Sequence, residues 1–139
     1  MSLEQKQDVL RRVIEEGFNK GNYAALDALF VPNYKEHQFG LRTTLQEFKE
    51  DIRSLRTGFP DVHLTIEDII ANTDTVWIRM TARGTNLGPF MGPPTGKSIA
   101  ITVMDICRFE DCKIVEHWGV PDRFALIAQL GLLPQQFSR

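Results

Sequence analysis

The hydrophobic period of this chain changes once, near residue 61, and that change limits the possible folds more than any other feature. Before it, apolar residues recur at three- and four-residue steps; after it, they alternate. Residues 3–19 carry Val9, Leu10, Val13, Ile14 and Phe18 on one face with charges opposite, which predicts an amphipathic helix ended by Asn19-Lys20-Gly21. Asn22 is placed to cap a second short helix through Leu29, with Ala24, Ala25, Leu26 and Leu29 as its packing face. Pro32 opens an extended piece, Asn33 to His37. Thr44-Leu45-Gln46-Glu47 then has the pattern of a capping box, starting a helix that turns Phe48, Ile52 and Leu55 inward before Gly58 and Pro60 stop it.

From residue 61 the pattern is that of strands. Val62, Leu64 and Ile66 alternate with His63, Thr65 and Glu67, and after Asn72-Thr73-Asp74 the residues Val76, Ile78, Met80 and Ala82 alternate with Trp77, Arg79, Thr81 and Arg83. A long strand through Phe109, a hairpin and a short helix from Arg123 to Leu130 complete the chain. Helices followed by a meander predict one α+β domain over residues 1–139, a curved antiparallel sheet wrapped around the N-terminal helices as a cone. A cone of this size would hold one small apolar molecule, and its open sheet face would suit a homodimer or higher homo-oligomer.

The last hairpin places charge inside strands that otherwise read as buried. A three-residue loop, Glu110-Asp111-Cys112, pairs Phe109 with Lys113, Cys107 with Val115, Asp105 with His117 and Val103 with Gly119. Asp105 and His117 then touch. A two-residue turn is the rival register, setting Asp105 opposite Trp118 and on the other face from His117, because side chains alternate with a period of two. A histidine in a strand is often a half-buried group satisfied by a carbonyl or a carboxylate. Next to an apolar cavity, an imidazole oriented by a carboxylate is also a common general base.

Between two of the strands, Gly84 to Lys97 is rich in glycine and proline, with Phe90 and Met91 at its middle. Two large apolar groups in a loop either cap the end of the core or form a lid over a pocket. His37, beside Tyr34 in the extended piece, is a second candidate for acid/base work or else a rim histidine. Tyr34 or Trp118 could donate a hydrogen bond to a developing oxyanion. Together with Val103 and Gly119 on the hairpin, Tyr34, Phe90, Met91 and Trp118 are the candidate substrate-binding residues. Arg79 and Arg83 read as solvated or at a subunit contact.

Composition narrows the class. With 139 residues, 42% hydrophobic and 24% charged, the chain has the makings of one globular core. Its net charge of −2 and scattered basic residues give no stripe for a phosphate backbone, so nucleic acid is not an expected partner. No apolar run suggests a signal peptide or a membrane span, and a cytoplasmic protein is expected. There Cys107 and Cys112 would be reduced thiols. Three histidines at positions 37, 63 and 117 and no CxxC give no metal-ligand spacing, so no metal is expected.

Several segments taken together resemble the SnoaL-like polyketide cyclases: Arg83-Gly84-Thr85, Gly88-Pro89-Phe90-Met91-Gly92-Pro93-Pro94-Thr95-Gly96-Lys97, Arg108-Phe109-Glu110-Asp111, Lys113-Ile114-Val115-Glu116-His117-Trp118, Asp122 and Gln129-Leu130-Gly131. The resemblance implies the α+β cone shared with nuclear transport factor two, ketosteroid isomerase, scytalone dehydratase and limonene epoxide hydrolase. It implies a cofactor-free enzyme closing a ring by aldol condensation, and homo-oligomers built on the sheet. The cyclases typically carry an acid/base aspartate after the tryptophan of Glu-His-Trp, where this chain has Gly119. Other members often have histidine in place of Asn86 and glycine in place of Cys112. Two functions follow as expectations: acid/base chemistry by His117, Asp105 and His37 on an apolar carbonyl compound, or a ligand-binding or interaction module of the same fold without catalysis.

Overall fold

A computed structural model describes residues 2–134. Helix α1 (Leu3–Arg12) opens on a capping box in which Ser2 Oγ accepts the Gln5 amide at 3.1 Å and Gln5 Oε1 accepts the Ser2 amide at 2.7 Å. It continues as a wider π-helical segment, Val13–Asn19, and the chain then makes a 3-10 helix, Tyr23–Ala28. Asn22 does not cap that helix through its side chain, contrary to expectation; its carboxamide reaches Glu16 instead. Strand β1 (Phe30–Glu36) precedes helix α2 (Leu45–Gly58), whose cap Thr44 accepts the Glu47 amide at 3.1 Å. Strands β2 (His63–Ala71), β3 (Thr75–Thr85), β4 (Ser98–Glu110) and β5 (Lys113–Pro121) follow, and helix α3 (Arg123–Gln129) is capped by Asp122.

The five strands form one sheet in the order β1-β5-β4-β3-β2. All neighbours are antiparallel except β1, which runs parallel to β5 at the edge, so the sheet is mixed rather than purely antiparallel. One face carries Val76, Ile78, Met80, Ile101, Cys107, Phe109 and Ile114, buried together with Leu10, Val13 and Ile14 of the first helix and Phe48 and Ile52 of α2. Burial of these side chains, each worth about 1.5–3 kcal/mol, drives the helices onto this face.

The hairpin register differs from both alternatives drawn from sequence. The turn has two residues, Asp111 and Cys112, with φ of 48° and 68°, the left-handed pair of a type I′ turn, so Glu110 pairs with Lys113 and Phe109 with Ile114. One residue further, Val115 is bulged, and beyond it Cys107 pairs with His117 and Asp105 with Gly119. The expected pairs Asp105 with His117 and Val103 with Gly119 are therefore replaced. Asp105 and His117 still share a face, because the true partner of Asp105 lies two residues beyond His117 and the period is two.

Candidate active site

Three ionisable side chains meet inside the fold where β1, β5 and β4 run side by side. Glu36 at the end of β1 pairs with His117 on β5, and Asp105 on β4 is the diagonal neighbour of His117. His117 Nδ1 lies 2.5 Å from Glu36 Oε2, and Nε2 lies 3.2 Å from Asp105 Oδ2. All three side chains are withdrawn from solvent, at 7%, 1% and 11% exposure for His117, Glu36 and Asp105. Burial by itself would lower the basicity of the ring, but the hydrogen bonds and charges of the two carboxylates outweigh it and raise the His117 pKa to about 10. At neutral pH the ring is an imidazolium, both of whose N–H groups are directed at carboxylates.

The two carboxylates are supported unequally. Glu36 Oε1 accepts the Tyr34 hydroxyl at 3.0 Å, and Oε2 accepts the Gln38 amide at 3.0 Å as well as the imidazole. Tyr34 is buried against Phe30 and Phe48, and burial followed by the nearby Glu36 charge pushes its pKa up, so the phenol keeps the proton it donates. Asp105 has its imidazolium on Oδ2 and nothing on Oδ1, a buried oxygen without a hydrogen-bond partner among the described residues. A carboxylate oxygen left bare in the interior is costly unless a ligand or water meets it. The Cys107 thiol, paired across from His117, is pushed up by burial and then by Asp105, so it stays protonated.

Gly119 lies directly against this group. A Cβ built there would collide with Gln38 Oε1 and stand 2.7 Å from Asp105 Oδ1 and 3.0 Å from His117 Cε1. Val103 is half-buried and lies two residues before Asp105, on the same face. Tyr34, Val103, Gly119, Asp105 and His117, all named from sequence, are thus brought to one side of the sheet.

His37 and Trp118 are placed elsewhere. Both follow an inward residue, Glu36 and His117, and alternation turns them to the outer face, where their rings stack at 4.8 Å and 9°. There His37 Nε2 meets Glu116 Oε2 at 2.7 Å, and Glu116 Oε1 accepts Arg108 Nε at 2.8 Å. The Arg108 and His37 bonds hold the Glu116 carboxyl below its ordinary pKa. Phe90 packs edge-on against Phe59 at 5.1 Å and serves the end of the core, while Met91 beside it is half exposed with a φ of 57°. Asn86, where relatives were expected to carry histidine, is wholly buried and ties the loop down: its Nδ2 donates to the Gly58 and Gly88 carbonyls and its Oδ1 accepts from the Thr95 amide and hydroxyl.

Two residues of the group escaped sequence reasoning. Glu36 was legible in principle, since treating Asn33 to His37 as a paired strand puts Tyr34 and Glu36 on one face and Lys35 and His37 on the other. Gln38 had no such signal, as it lies just beyond the strand. Among the described residues no set of His, Cys, Asp and Glu is arranged to hold a metal ion. A cavity of about 330 Å³ at the hairpin tip, lined by Lys6, Thr73, Phe109, Asp111 and Cys112, lies apart from the buried group.

The family model described as SnoaL-like polyketide cyclase matches residues 8–130. No curated protein sequence matches the chain. Among solved structures, it is similar to TsrD from Streptomyces laurentii, with 26% identity, a TM-score of 0.87, and coverage of 96% of this chain and 99% of that one. It is similar to AclR from Streptomyces galilaeus, a candidate hydroxylase, with 26% identity, a TM-score of 0.85 and coverage of 96% and 100%. It is also similar to IdmH from Streptomyces antibioticus, a candidate polyketide cyclase, with 32% identity, a TM-score of 0.82 and coverage of 91% and 99%.

Proposed function

This chain belongs to the SnoaL-like polyketide cyclase family, and on that premise we propose that it is a cofactor-independent acid/base enzyme acting on a small, largely apolar carbonyl compound. One observation carries the assignment: the bare, buried Oδ1 of Asp105 beside a protonated imidazole. Asp105 takes the acidic proton next to the substrate carbonyl through that oxygen, the C–H electron pair becoming the enolate. His117 keeps both its protons. Its positive charge offsets the negative charge that develops on the substrate oxygen, in surroundings where water screens little. Glu36, with every oxygen already engaged, fixes the ring and balances its charge. The roles suggested by sequence are thereby exchanged, the aspartate acting as base and the histidine as its charged partner. His37 and Trp118, on the other face, take no part.

Removing the acceptor is the direct test. Asp105→Asn is expected to slow exchange of the acidic C–H protons of aromatic polyketide-like diketones in D2O by about 10²–10⁴-fold, and His117→Ala to do the same. Exchange at the wild-type rate in both variants would end the proposal. A ligand-binding role without turnover is favoured by one feature, the glycine at 119 where the cyclases carry their aspartate. It predicts tight binding of the same compounds with no exchange in any variant.

For assembly, we infer a homodimer formed through the outer sheet face. Two apolar rows cross it: Ile70, Trp77, Ile106 and Trp118 in successive pairs, and Met104 beside Val120. Trp77, Ile70, Met104 and Val120 are 53%, 67%, 53% and 71% exposed, and a cluster of large apolar side chains on one sheet face is the kind of surface that a second copy can cover.

A further inference from the structure

The three residues Gln38, Phe39 and Gly40 lie between two fixed points. Before them, the His37 amide donates to the His117 carbonyl at 2.9 Å and the His37 ring stacks on Trp118. After them, Leu41 packs partly on the core and Arg42 is held to helix α2 by Asp51 at 2.8 Å. Phe39, at the tip, is 87% exposed. At the base, the Gln38 side chain enters the space that Gly119 leaves open, on which Asp105 Oδ1 also converges. It fills that space without a hydrogen bond to Oδ1, which has no partner among the described residues. The approach to the bare oxygen is therefore occupied by a group that nothing bonds to it, and such a group can be displaced.

Across from the segment stands Arg123, the first residue of α3. Its guanidinium donates to the Phe39 carbonyl and lies 5.8 Å from the centre of the Phe39 ring. Gly40, at a φ of 90°, allows that approach, since a Cβ there would stand 3.1 Å from the guanidinium. Two further bonds hold the segment, the Gln38 amide on Glu36 Oε2 at 3.0 Å and the Leu41 amide on the Gln38 carbonyl at 3.1 Å.

We propose that Gln38 is a plug over Asp105 and that Arg123 latches it shut from α3, so that an apolar substrate enters only when residues 38–40 swing outward. The latch controls access and touches no reacting atom, which makes Arg123 a positioning residue. The proposal rests on the small-carbonyl function stated above, and adds to it how the site is reached. Because plug and substrate claim the same space, only the open form binds, and the observed affinity is the intrinsic one reduced by the open fraction. Weakening the latch should therefore tighten binding, the opposite of what the loss of a substrate contact does.

Binding kinetics test it. The association, dissociation and affinity of 2-naphthol, followed by its own fluorescence at neutral pH, are compared in wild type, Arg123→Ala, Arg123→Lys and Gln38→Ala. Arg123→Ala is expected to bind about tenfold faster and about tenfold tighter with dissociation unchanged, the worth of one hydrogen bond from a charged group. Arg123→Lys, which can still donate to the Phe39 carbonyl, should stay near wild type, and Gln38→Ala should bind tighter. With no ligand present, amide hydrogen exchange at Gln38 and Leu41 should quicken about tenfold in Arg123→Ala. The β5 amides and the urea midpoint should not move, since Arg123 is exposed. Unchanged exchange at those two amides, or an affinity in Arg123→Ala and Gln38→Ala no tighter than in wild type, would overturn the proposal. Proton exchange in Asp105→Asn judges the function separately, so either idea can fail alone.

Discussion

An imidazole held between two carboxylates is the residue-scale fact on which the rest depends. Burial and paired charges act in opposite directions on His117, and the pairing wins, giving a pKa near 10 against an ordinary 6.5. Because the folded value lies above the unfolded one, the associated stability is fully present below about pH 6.5 and is lost as the pH rises toward 10. Wild-type stability in denaturant should therefore fall between pH 6.5 and 9. Above pH 9 the Cys107 thiol adds a loss of the same sign, since burial raises it from its ordinary 9.0. The ring protons of His117 in NMR spectra, assigned by their loss in His117→Asn, should keep imidazolium shifts beyond pH 8; a midpoint near 6.5 would mean that the ring is a neutral base. The chemical roles of the pair could not be taken from sequence, because the second carboxylate, Glu36, comes from a strand 81 residues away.

At the scale of elements, the β4–β5 hairpin and the loop after β3 position everything else. The hairpin turn holds Cys112 at a φ of 68°, where an L side chain is strained. Cys112→Gly should stabilise the protein by roughly 0.5–1 kcal/mol, read as a higher urea midpoint, without moving the register. The register was only half legible. Turn residues show where a hairpin closes, but the bulge at Val115 is selected by how the inner face packs, with Ile114 and His117 both buried. In the loop, Asn86 makes four side-chain hydrogen bonds in full burial. Asn86→Ala should cost about 2–4 kcal/mol in chemical unfolding, since it strands buried carbonyls and amides as well as removing the side chain. An unchanged unfolding midpoint would show that the loop is organised by its prolines alone.

The whole molecule places an acidic, buried group on one side of its sheet and an exposed apolar face on the other. If that outer face joins two copies, Val120→Asp and Met104→Lys should each convert a dimer to a monomer in sedimentation while leaving the unfolding midpoint of the protomer within about 0.5 kcal/mol; a wild-type monomer would rule the interface out. The division into a helical half and a sheet half followed from the sequence alone. A change of hydrophobic period needs only local side-chain order, and a stripe at 3.6 residues and an alternation at two can each be buried in few ways. Local order left two registers for the hairpin, only one of which set Asp105 and His117 on the same face, and the bulge at Val115 brings them there after a two-residue turn. It could not show that β1 returns parallel to β5 or that a bulge sets Asp105 against Gly119. Nor could it show that Glu36 and Gln38 arrive from the far edge. Those contacts join residues distant in the chain, and only the closing of the sheet over its helices decided them.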